Sequence, residues 1–145
     1  MKIMPFEDRF RDDLIFMILE AKNALGRVPG LNEDLLDIKS NYFDKGDMFW
    51  IAVDESNRVV GSIGFHLDRN SGRADLHRLF VKFNLKRQGI GTALLSVAES
   101  HLISQNVKTI FVHLGNGDEW FESRHFYTKH GYTEYSADRM KKEIL

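Results

Sequence analysis

A chain of 145 residues with 20 Lys+Arg against 21 Asp+Glu has a formal net charge of -1, and 43% of it is hydrophobic. That length predicts one domain over residues 1–145, and the charge balance argues against a general nucleic-acid binder, which needs excess Lys and Arg. The absence of cysteine excludes disulfides and thiolate chemistry; the absence of an ~18-residue apolar run or a signal-like N-terminus (MKIMPFEDRF) predicts a cytoplasmic protein outside the membrane. Lys2 to Phe6 reads as a strand, with Pro5 favouring a sheet edge. Phe10, Leu14, Met17, Ile18, Ala21 and Leu25 recur at the spacing of one helical face, and Gly26 with Pro29-Gly30 ends that helix. Asn32 is placed to cap a second, shorter helix with Asp34 in its first turn. Met48 to Val53 is a continuous apolar run, as for a strand covered on both faces. Turns at residues 55–58 and 68–72 then separate strands at Val59 to Leu67 and Arg73 to Val81.

The second half changes character. Ile90, Leu94, Val97, Ala98, His101 and Leu102 mark an amphipathic helix, Val107 to Leu114 a strand, and residues from about Glu119 to His130 a further helix stopped by Gly131. Short strands near Tyr132 to Tyr135 and Arg139 to Ile144 follow. A right-handed crossover should make the strands ending at Val81 and Leu114 parallel. The fold class is therefore α/β, a mixed antiparallel and parallel sheet of six or seven strands flanked by about four helices.

The most informative segment is Leu76 to Leu95, LHRLFVKFNLKRQGIGTALL. A strand leads into a basic loop, and Gly89-Ile90-Gly91 opens a helix. Glycines let the backbone approach a ligand, and the first-turn N–H groups at the positive end of the helix dipole suit a phosphate. The P-loop pattern fails, for no GK[ST] occurs, and GxGxxG fails because Leu94 stands where its third glycine belongs. By itself the loop is also compatible with a plain strand-to-helix turn.

Leu79-Phe80-Val81 followed by Lys86-Arg87-Gln88-Gly89-Ile90-Gly91 resembles the acyl-CoA motif [QR]xxGx[GA] of the GCN5-related N-acetyltransferase (GNAT) superfamily. Phe126-Tyr127-Thr128-Lys129-His130-Gly131-Tyr132 resembles its FYxxxGF segment. The order of elements agrees over nearly the whole chain. The resemblance implies a GNAT fold and transfer of acetyl from acetyl-CoA, without a metal, to a primary amine by direct attack in a ternary complex. It implies that the Leu79, Phe80 and Val81 backbone holds the pantetheine arm, with the loop (Lys86, Arg87, Gln88, Gly89, Ile90, Gly91, Thr92) at the pyrophosphate. Tyr127 then matches the family's proton donor to the departing thiolate. Three positions depart from the pattern: Lys86 replaces Gln or Arg, Phe83 a usual proline, and Trp120 a usual asparagine, so Asn116 becomes the candidate for that asparagine's cofactor contact.

A general base has three candidates. Simple alternation puts Asp75, His77, Leu79 and Val81 on one strand face. Asp75 and His77 match two strand histidines of the family's arylalkylamine branch, and His113 matches a catalytic glutamate of its ribosomal-protein branch. A histidine with an ordinary pKa of ~6.5 is mostly neutral at physiological pH and can accept a proton. A water chain without a single base is the fourth option. His66, His101, His125 and His130 read as surface or packing residues with no metal-site spacing. A catalytically inactive CoA-binding regulatory module is the alternative function. The acceptor's identity and a homodimer are left open.

Overall fold

The computed structural model describes residues 1–115 and 117–144. In chain order the elements are β1 (Lys2–Pro5), α1 (Arg11–Ala24), α2 (Ile38–Asn41), β2 (Phe49–Val53), β3 (Val59–Asp68), β4 (Arg73–Val81), α3 (Ile90–Ser104), β5 (Thr109–His113), α4 (Phe121–Lys129), β6 (Thr133–Ser136) and β7 (Arg139–Glu143). The strands form one seven-stranded sheet in the order β1-β2-β3-β4-β5-β7-β6. The β4–β5 pair is parallel and every other pair antiparallel. The edge position of β1, the fully buried β2 and the parallel crossover all follow the sequence expectation. Among the described residues, no helix is long and apolar enough to cross a membrane.

Two apolar layers cover the sheet. One face packs Leu14, Met17 and Ile18 of α1, with Leu35, Ile38 and Tyr42, onto Phe49, Ile51 and Val53. The other packs Leu94, Leu95, Ala98 and Leu102 of α3 and Tyr127 of α4 onto Ile63, Phe65, Ala74 and Leu76. Burying side chains of this size accounts for roughly 1.5–3 kcal/mol each.

The short second helix differs from expectation. It breaks into a 3₁₀ turn at Glu33–Leu36 and a single α turn at Ile38–Asn41. Asn32 makes no side-chain cap; its Oδ1 accepts from Lys22 Nζ instead, and Asp37 caps α2 by accepting from the Ser40 amide at 3.0 Å. A partner from α1 thus outcompetes the local cap.

A second difference bears on the site. β4 does not alternate through Val81. Ser62 pairs with Phe80 and Gly64 with His77, so two β4 residues, Arg78 and Leu79, stand opposite Ile63 alone. Arg78 takes φ 56, the geometry of a β-bulge. Asp75 and His77 therefore face the α1–α2 layer, whereas Leu79 and Val81 pack into the α3 layer and Phe80 against the other.

Candidate active site

Parallel pairing of β4 with β5 stops at Asp75–Phe111, and β4 runs on to Val81 without a partner on that side. A groove of about 580 Å³ opens there, with Leu79, Phe80 and Val81 along it, the α3 start at one end and α4 as a wall. Lys86, Arg87, Gly89, Ile90, Gly91 and Thr92 line it, as does Tyr127, so residues distant in sequence meet in one cleft. Gln88 is not among the lining residues, and Asn116 lies outside the described residues. A separate, wider-mouthed depression between α1 and the β2–β3 turn holds Asp13 and Arg58, whose charges are paired with each other at 2.7 Å.

The local conformation at the α3 start explains its glycine. Gly89 caps α3 at φ 82, a left-handed backbone, and a Cβ there would meet nothing within 4 Å. Conformation rather than crowding makes glycine the fitting residue. Arg87 is also left-handed, at φ 65. The first intrahelical bond, Ala93 N–H to the Gly89 carbonyl at 3.0 Å, leaves the amides before it free of helical acceptors. Such a turn can hold an anion. Two contacts span the cleft: Lys86 Nζ with Glu122 at 3.1 Å, and Thr92 Oγ1 with His130 Nε2 at 3.1 Å.

Tyr127 is 7% exposed, its ring set against Phe126 and Tyr132 at 5.3 Å each. None of the described residues bonds its hydroxyl. Burial pushes that hydroxyl above the ordinary tyrosine range, with Glu99 adding to the rise and the Arg27 charge opposing it. It is a phenol at any physiological pH, able to donate.

On the opposite face His77, a base candidate from the sequence, joins a polar cluster whose other members sequence spacing does not reveal. Tyr42 donates to Asp34 Oδ2 at 2.5 Å, and Arg78 clasps both Asp34 oxygens at 2.9 and 3.1 Å. His77 Nδ1 lies 3.3 Å from the Tyr42 oxygen. Because the Tyr42 proton goes to the carboxylate, Nδ1–H is the donor in that contact and His77 Nε2 keeps its lone pair. Gly64, opposite His77, makes room: a Cβ there would lie 2.5 Å from Phe49 and 3.1 Å from Tyr42. His66, read from sequence as a bystander, stacks on Tyr42 at 4.6 Å and meets His77 edge-on at 4.5 Å. Its Nδ1 donates to the buried Asp47 at 2.9 Å. Burial, then the neighbouring His66 and Arg78 charges, hold His77 down to about 4. Burial opposes ionisation of Asp34, but its Arg78 and Tyr42 hydrogen bonds win and keep it below the usual carboxylate range.

The other two base candidates stand apart. His113 is exposed at the end of β5, with Nε2 3.2 Å from Asp138. Asp75 is engaged by Arg73 at 3.0 Å. Neither lines the groove; nor does His77, which packs against Tyr42 on the α1–α2 side. His125 and His130, read from sequence as surface or packing residues, line it.

The sequence profile of the Acetyltransferase (GNAT) family matches residues 15–132. The chain belongs to that family. No curated protein matches it in sequence. Among solved structures, a GNAT-family acetyltransferase from Staphylococcus aureus Mu50 superimposes with a TM-score of 0.85 at 23% identity, covering 99% of each chain. An aminoglycoside 6'-N-acetyltransferase complexed with coenzyme A gives 0.78 at 19% identity over 100% of this chain and 98% of that one. PaiA N-acetyltransferase from Thermoplasma acidophilum, also in complex with coenzyme A, gives 0.76 at 18% over 99% and 98%. At these identities the likeness establishes the GNAT fold, in agreement with the architecture expected from sequence.

Proposed function

We propose that this chain transfers acetyl from acetyl-CoA to a primary amine by direct attack. The observation that carries the reading is the groove itself, which joins an unpaired strand edge, a glycine-capped helix start and a buried tyrosine hydroxyl in one cleft. Leu79 to Val81 would hold the pantetheine arm as an added strand, and the residue 86–92 loop the pyrophosphate. The coenzyme A carried by two fold relatives supports that choice of cosubstrate.

In this reading the amine nitrogen attacks the thioester carbonyl carbon, the tetrahedral intermediate collapses, and the C–S bond breaks. Tyr127 donates to the departing thiolate and regains its proton from water once CoA has left. Moving a proton from an ordinary phenol of ~10 to a thiolate of ~8.5 is uphill by about 2 kcal/mol, and burial adds to this. The Arg27 charge works in the opposite direction. The amine enters from the other side of the strand gap, where His77 Nε2 accepts one of its N–H bonds and orients the lone pair. A histidine held to about 4 cannot keep a proton at neutral pH, so the released proton passes on to water. Without a cysteine, no acyl-cysteine forms along the way.

Calorimetric titration with acetyl-CoA, CoA and ATP, followed by CoA release over a panel of amines, tests this reading. Acetyl-CoA should bind, ATP should not, and at least one amine should drive turnover. Tight binding with no turnover would instead favour a CoA-binding regulatory module.

A further inference from the structure

Most arginines of this chain face a carboxylate. Among the described residues only two have none within 4.0 Å, Arg27 and Arg87, and both line the same groove. Arg87 belongs to the glycine loop, where an anionic phosphate would complete it. Arg27 lies away from that loop, just past α1 and beside the α4 residues Ser123 and Tyr127. It calls for a different anion.

The Arg27 side chain is held in place without being satisfied. Its guanidinium lies over the Trp120 ring, 3.5 Å from the centroid, and Nη2 donates to the Ser123 hydroxyl at 2.8 Å. Nε is buried and has no partner, and no other N–H of the fork is engaged among the described residues. A half-buried guanidinium with one of its five donors used fits a planar carboxylate, which such a fork grips by two parallel bonds. The neighbouring cations are already committed. Lys22 donates to the Gly30 carbonyl and Asn32, and Arg78 clasps Asp34. Of the acids near Arg27, Glu122 is paired with Lys86, and Glu119 is exposed and forms no ion pair with Arg27 among the described residues.

We propose that Arg27 binds a carboxylate on the acceptor, so that the acceptor is an amine carrying an acid group, of the amino-acid class. The inference rests on the acetyl-transfer reading above. It places the acid at the Arg27–Trp120 shelf and the amine toward His77. Lys22 marks the connection between the two, for its ammonium feels Arg27 on one side and the Arg78–Asp34 pair on the other.

The test compares α-amino acids with their own α-amides in acetyl-CoA-dependent CoA release, using matched phenylalanine, methionine and lysine pairs. For the best pair, wild type should favour the acid by about tenfold or more in kcat/KM, the scale of one charge-assisted bond. Arg27→Gln should collapse that ratio to near one through KM, whatever it does to the common rate, and Arg27→Lys should restore part of it. The wild-type ratio needs no variant to fold. Equal use of acids and amides, or an acid preference that survives in Arg27→Gln, overturns the carboxylate site while leaving acetyl transfer standing. No CoA release with any amine of the panel overturns both.

Discussion

Ser62, fully buried in β3, donates its hydroxyl to the Arg78 carbonyl at 2.7 Å and so fixes the point where β4 exchanges its faces. N-terminal to that bond, His77 looks toward Tyr42 and His66; C-terminal to it, Leu79 and Val81 look toward α3. The bulge is what turns His77 to one face of the sheet and Leu79 and Val81, which line the groove with Tyr127, to the other. Ser62→Ala should leave a buried carbonyl without its partner and cost ~1–3 kcal/mol. Urea denaturation measures the loss, and kcat should fall with it as His77 shifts. Unchanged stability would mean that the bulge is held by something else.

His77 makes the fold acid-sensitive. In the unfolded chain it titrates at ~6.5, and in the folded protein at about 4. As pH falls from 6.5 toward 4, the unfolded state takes up a proton that the folded state refuses. The linked stability is therefore complete above 6.5 and declines by up to about 3 kcal/mol through that window. His77→Gln should flatten the decline in denaturation midpoints measured at pH 7 and pH 5. The same depressed value means that His77 contributes no inflection to the rate between pH 6 and 8. An inflection in that range that vanishes in His77→Gln would contradict this assignment.

At the other end of the groove, Gly91 has Phe126 at 3.4 Å and Val81 at 3.5 Å from where its Cβ would stand. Gly91→Asp should drive a carboxylate into the space assigned to pyrophosphate. Gly89→Asp adds the same charge on a left-handed backbone, so it is strained as well. Both should reduce acetyl-CoA affinity below detection by calorimetry while circular dichroism stays native. A folded variant that binds as wild type would remove the phosphate assignment.

The architecture was legible because periodicity and turn chemistry are local. Apolar runs, the DRNSG turn and the GIG helix start mark seven strands and the three long helices within a residue or two. What stayed hidden is tertiary. Arg78 carries no turn signal, yet it adopts the left-handed bulge because Ser62 waits across the ladder. Asn32 reads as a cap until Lys22 reaches it from α1. His66 joins the site only because β3 and β4 pair in that register, and Arg27 only because α1 ends beside α4. The glycine loop, Tyr127 and His77 stand at positions a family resemblance picks out; Tyr42, Asp34, Arg78 and His66 around His77 had no motif to betray them.

In the proposed reaction Tyr127 donates a proton as the C–S bond breaks. Tyr127→Phe removes one hydroxyl and keeps the ring between Phe126 and Tyr132, so packing should barely change. General-acid assistance is worth about 10²–10⁴ in rate, roughly 3–5 kcal/mol. Single-turnover acetyl transfer by the variant, with acetyl-CoA affinity measured alongside, tests it most directly. The chemical step should be at least tenfold slower, with affinity within a few-fold of wild type. A chemical step within twofold of wild type would contradict it and leave water as the proton source for the thiolate.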